Sequence, residues 1–87
     1  EALAAAGEGA GLPSELADAL ARQTVVGAGA LLEADERSAT DLRRAVTSPN
    51  GTTQAGLEAL DDEPGLVAQV RAAVRAAAAR SRELGRG

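Results

Sequence analysis

The residues best suited to chemistry lie in one short stretch, Val46-Thr47-Ser48-Pro49-Asn50-Gly51-Thr52-Thr53, followed by Gln54-Ala55-Gly56-Leu57-Glu58-Ala59-Leu60. It is a hydroxyl- and glycine-rich loop running straight into an amphipathic helix. The first N–H groups of a helix have no intrahelical acceptor, and beside Ser and Thr hydroxyls they make a site for a small anion. Asn50-Gly51 keeps those groups clear of bulky side chains. The same residues also read as an ordinary capped turn, with Thr47 or Ser48 ending one helix, Pro49-Asn50-Gly51 turning the chain and Thr52 capping the next. The loop carries more hydroxyls than a cap requires.

Other candidate constellations are weaker. Thr24-Val25-Val26-Gly27-Ala28-Gly29 looks like a strand entering a dinucleotide-binding turn, but that fingerprint needs a third Gly or Ala where Leu32 stands, inside a βαβ unit. Gly27 and Gly29 read instead as places where another helix crosses closely, each at a cost of about 1 kcal/mol in helix propensity. The carboxylates Glu33, Asp35 and Glu36, and Asp61, Asp62 and Glu63, lack calcium-loop spacing and read as solvated helix ends, so no metal is expected. Arg71 and Arg75 lie four apart on one helix face, suited to solvent, an intersubunit ion pair or an anion. Arg80 and Glu83 have the spacing of a helical ion pair.

The elements that hold the loop are helical. Residues 1–10 look like the end of a helix whose beginning is absent, broken by Gly7, Gly9 and Gly11. Pro13 suits the first turn of a long helix running to about Ala34, with Leu16, Leu20, Thr24, Gly27 and Leu31 at steps of three or four. Ser38 or Thr40 would cap a short helix carrying Leu42 and Val46, with Asp41 in its first turn. A helix from Thr52 to about Leu60 has Ala55, Leu57 and Leu60 as candidates for burial. After the break at Asp61-Asp62-Glu63-Pro64-Gly65, a last helix runs to about Leu84. Its stripe is Leu66, Val67, Val70, Val74, Ala77, Ser81 and Leu84, and Gly85 would end it. No segment alternates like a strand, so the fold is all-α.

Composition limits both fold and function. The 87 residues hold 22 Ala, 11 Leu and 6 Val, with no Ile, Met, Cys or aromatic residue. Seventeen Leu and Val side chains are few to offset the ordering of such a chain. A partner subunit, or more of the same chain, would supply the missing apolar surface. A net charge of −4 without aromatics gives neither the electrostatic footprint nor the stacking platforms of a nucleic-acid binder. The absence of Cys and His removes disulfides, thiol chemistry, imidazole bases and ordinary zinc sites. No run is long enough to span a membrane and no signal peptide is visible, so the expected compartment is the cytoplasm.

At its loop the sequence resembles the C-terminal domain of pyrroline-5-carboxylate reductase. That family carries Val-Thr-Ser-Pro-Gly-Gly-Thr-Thr ahead of a helix with a Gly-Leu. The likeness continues at Gly56-Leu57 and Leu60-Asp61 and upstream at Ala10-Gly11-Leu12-Pro13, Gln23-Thr24-Val25-Val26-Gly27 and Leu42-Arg43. Downstream it includes Arg80-Ser81-Arg82-Glu83-Leu84-Gly85. One departure is Asn50 in place of the family's first Gly, a substitution that left-handed geometry tolerates. Another is the absence of the N-terminal nucleotide-binding domain.

The resemblance implies a helical bundle of the 6-phosphogluconate dehydrogenase C-terminal-like type, spanning residues 1–87 and interwoven as a homodimer that can assemble further. It also implies a reductase that transfers hydride from NADPH or NADH to the C=N carbon of 1-pyrroline-5-carboxylate, giving L-proline. By motif position, Ser48, Asn50, Gly51 and Thr52 would hold the substrate carboxylate, chiefly through backbone N–H groups, and the Thr53 hydroxyl would bond the ring nitrogen. No cofactor-binding residue is expected in this chain, and the 87 residues alone would be inactive. Two other readings stay open: a non-enzymatic helical oligomerisation module, and a reductase of the same architecture acting on another cyclic imine or a 2-oxo acid derivative.

Overall fold

The computed structural model describes residues 1–86 and is helical in every regular element. The chain divides into two compact units, the first Glu1–Leu42 and the second from Arg43 onward.

In the first unit, α1 (Ala2–Gly9) is mostly alanine, the best helix former. It does not break at Gly7, as the glycine spacing suggests, but continues to Gly9. Gly11, at φ +105°, ends it in a Schellman arrangement: the Leu12 N–H bonds to the Gly7 carbonyl at 3.0 Å and the Gly11 N–H to the Glu8 carbonyl at 2.9 Å. Gly7 has a packing role instead. A Cβ there would lie 3.2 Å from the Ala17 Cβ and 3.4 Å from Leu12 Cδ1, so its bare backbone lets α1 settle on the next helix.

That helix, α2 (Ser14–Ala34), is the long one the apolar spacing predicts. Pro13 stands just before it and accepts the first intrahelical bond, from the Ala17 N–H at 2.9 Å. Ala17 is 2% exposed against α1, while Leu16, Leu20, Val25, Val26, Leu31 and Leu32 all face out. The Thr24 hydroxyl donates to the Leu20 carbonyl at 2.7 Å, so this β-branched residue is absorbed within the helix. Apart from the backbone of α2 itself, nothing among the described residues lies within 4 Å of a Cβ placed at Gly27 or Gly29. Among the described residues, no other helix makes the close crossing expected at those glycines.

The link to α3 (Ala39–Ala45) closes on itself. Asp35 accepts the Arg37 N–H at 3.0 Å and the guanidinium at 2.7 Å, and Ser38 Oγ accepts the Asp41 N–H at 3.1 Å. Ser38 is therefore the cap, and Thr40 lies inside the helix. Leu42 is buried, whereas Val46 falls beyond the helix end and is exposed.

In the second unit, α4 (Thr52–Asp61) packs against α5 (Leu66–Arg86). Gly65, at φ +82°, makes the turn between them, and its carbonyl receives the Gln69 N–H at 3.1 Å. Leu57 is half-buried, but Ala55 and Leu60 are exposed, contrary to the burial their spacing suggests. Ala78 and Ala79 are half-buried, while the predicted stripe of Leu66, Val67, Val70, Val74 and Leu84 lies open. Gly85 does not end α5. It keeps a negative φ, not the left-handed geometry of a glycine stop, and the helix runs on to Arg86. The Arg80–Glu83 pair forms at 3.0 Å, as spaced.

Among the described residues only Ala17 and Leu42 are buried. The accessible surface is 7206 Å², whereas two compact globules sharing this mass would together expose about 5,700 Å². Most Leu and Val side chains therefore lie on open helix faces.

Candidate functional site: the loop before α4

The loop is built by the way α3 stops. Its last turn tightens, with the Val46 N–H bonded to the Arg43 carbonyl at 3.3 Å and the Thr47 N–H to that of Arg44 at 3.2 Å. The Thr47 hydroxyl also donates to the Arg43 carbonyl, so it serves the helix end and is not free for a ligand. Pro49 then occupies the second position of a tight turn, which its fixed φ favours. The turn closes through the Gly51 N–H and the Ser48 carbonyl at 3.0 Å. Asn50 takes φ +61°, the left-handed region that Asn tolerates better than most residues.

Gly51 is the cap residue of α4, in extended conformation, with its carbonyl receiving the Ala55 N–H at 3.2 Å. Thr52, expected as the cap, is the first helical residue. No side chain caps this helix. A side chain at position 51 would crowd the turn, since a Cβ there lies 3.2 Å from the Ser48 carbonyl oxygen.

This arrangement leaves a defined set of open donors. The N–H groups of Asn50 and Gly51 are taken by Gln54 Oε1, at 2.7 Å, and by Ser48. Among the described residues, those of Thr52, Thr53 and Gln54 have no acceptor, and the hydroxyls of Ser48, Thr52 and Thr53 donate to none. Ser48, Asn50, Thr52 and Thr53 are exposed and Gly51 is half-buried. Three converging N–H dipoles at the positive end of a ten-residue helix favour an anion. A groove of about 210 Å³ runs along Asn50, Gly51, Gln54, Ala55 and Glu58. Ser48, Thr52 and Thr53 are not among its lining residues, so the sequence-predicted residues share a stretch of chain but do not line one groove.

Gln54 is the residue that motif reading missed. Its signal is partial: a Gln three places after the cap stands where a capping box places its returning side chain, but the cap is Gly51 and the Gln takes the Asn50 N–H instead. The apparent cofactor turn, Thr24–Gly29, lies wholly inside α2 and offers no strand-to-helix phosphate cradle. Arg71 and Arg75 flank an apolar groove of about 510 Å³ along Leu66, Val67, Val70 and Val74 of α5.

The family model described as pyrroline-5-carboxylate reductase dimerisation matches residues 1–84. The chain belongs to this family. Among curated relatives, the pyrroline-5-carboxylate reductase of Synechocystis is 45% identical over 86 residues, covering 99% of this chain and 32% of the relative. Those of Pisum sativum and Arabidopsis thaliana are 48% and 49% identical over 84 residues, covering 97% of this chain and 30% of each relative. The chain thus spans about a third of the length of the reductases it matches. No solved structure matches it. The all-α architecture is consistent with a dimerisation domain.

Proposed function

We propose that the chain is the dimerisation and substrate-holding domain of a pyrroline-5-carboxylate reductase, reducing 1-pyrroline-5-carboxylate to L-proline in proline biosynthesis. The observation that carries this reading is the set of open N–H groups at Thr52, Thr53 and Gln54, in the loop that bears the family's motif. A carboxylate is the anion such a cluster would take. With Ser48 Oγ nearby in the loop, it would anchor the ring, and the Thr53 hydroxyl would bond the ring nitrogen. Reduction adds a hydride to the C=N carbon and a proton to nitrogen. The protein need only fix distance and angle, so the absence of His and Cys is no obstacle.

NADPH or NADH supplies the hydride. The dinucleotide would be held by sequence outside these residues. The partner in dimerisation is a second copy of the chain, docking on the open apolar faces of α2 and α5. No helix among the described residues is long and apolar enough to cross a membrane. The compartment proposed is the cytoplasm.

In the full-length protein, Thr53→Ala should lower kcat/KM for the imine about tenfold, the loss of one well-placed hydrogen bond. Cofactor affinity should stay nearly constant. An unchanged kcat/KM would remove Thr53 from the site. Sedimentation at micromolar concentration should give a dimer, and a compact monomer would sink the assembly reading.

A further inference from the structure

The loop holds a non-glycine residue in left-handed geometry, and one side chain is placed to keep it there. Asn50 sits at φ +61°. Its N–H is bonded at 2.7 Å to Oε1 of Gln54, in the first turn of α4. The other end of that amide is also engaged, since Gln54 Nε2 donates to Glu58 Oε1 at 3.1 Å, one turn further along. A carboxylate accepts only, so Glu58 fixes which end of the amide faces the loop. Flipping it would set an NH₂ against the Asn50 N–H and lose both bonds.

We propose that Gln54 is a positioning residue, clamping Asn50 in its left-handed turn so that the open N–H groups of Thr52, Thr53 and Gln54 stay aimed at one anion. This rests on the substrate-holding role proposed above for the loop. Two observations carry it. The turn is closed by one backbone bond, from the Gly51 N–H to the Ser48 carbonyl, and a residue with a Cβ prefers to leave this region of backbone space. The clamp also occupies the Asn50 N–H, so that donor does not compete with the three beyond it. A glycine at position 50 would hold the same φ without help. Gln54 thus compensates for the side chain that Asn50 brings.

The test is steady-state kinetics of the full-length protein with 1-pyrroline-5-carboxylate, on Gln54→Met, Asn50→Gly, the double variant and Thr53→Ala. Met matches Gln in size and helix propensity but makes neither hydrogen bond. The proposal expects Gln54→Met to raise the imine KM three- to tenfold, with kcat and the cofactor KM within twofold of the parent. Adding Asn50→Gly should bring the imine KM back to within twofold of the Asn50→Gly protein. An unchanged KM in Gln54→Met, while Thr53→Ala still impairs turnover, overturns the clamp and leaves the site standing. A rise that Asn50→Gly does not relieve shows a general structural role and also overturns it. If Thr53→Ala and Gln54→Met are both silent, the loop is not the substrate site and Gln54 has nothing to position. Should Gln54→Met fail to fold, Gln54→Ala replaces it with the same expectations.

Discussion

Two short links lead into helices in this chain, and they treat their polar groups differently. Before α3, Asp35 takes the N–H and guanidinium of Arg37, and Ser38 Oγ takes the Asp41 N–H at the helix start. At α4, Thr47 and Ser48 precede the helix and Thr52 and Thr53 open it, yet the cap is a glycine and the first-turn N–H groups stay open. Both links have what capping requires, and only the first uses it. Polar side chains beside a helix start are therefore not evidence of a closed cap, and the backbone at position 51 decides.

Closing the second start should have the largest effect. Gly51→Asp places a carboxylate where it would cap α4 and repel an incoming anion, so the imine KM of the full-length protein should rise about 100-fold. The tight approach of Cβ to the Ser48 carbonyl adds to the change. A KM within twofold of the parent would show that the open start is not used. Opening the first start should do the reverse. Ser38→Ala should cost about 1 kcal/mol of stability in denaturant unfolding while leaving the imine KM unchanged. If KM moved instead, the division between the two links would fail.

The smallest effect concerns pH. The Arg37 side chain and N–H hold the Asp35 carboxyl down from its usual value near 3.8 to about 2. Because the folded value is the lower one, this contribution is full above pH 3.8 and is lost as pH falls through about 2. The pair is exposed, so the gain is slight. The difference in melting temperature between the parent and Arg37→Ala should shrink over that window, and a difference constant down to pH 2 would argue against the ion pair.

The helices were largely legible in the sequence because spacing and punctuation agree: Gly11, Pro13 and Gly65 bound elements whose apolar residues recur every three or four positions. Boundaries failed where a glycine had another task. Gly7 makes a close helix contact and Gly85 simply continues a helix, and sequence alone does not distinguish these from a stop. Burial failed for a different reason. Leu60 and the α5 stripe have the right period, but periodicity shows which face is apolar and not whether this chain covers it. At the loop, the hydroxyl and glycine types marked the place. The turn's own hydrogen bonds decided which N–H groups remain open, and that required the conformation of Asn50.

With only Ala17 and Leu42 buried among the described residues, a single copy of this chain has little apolar surface left to expose when it unfolds. Its heat-capacity increment and denaturant m-value should accordingly be small for its length, and its melting shallow. A steep transition would belong to the assembled form, since the surface that makes unfolding cooperative lies between copies. For this chain, the sharpness of a melting curve reports association more than it reports fold.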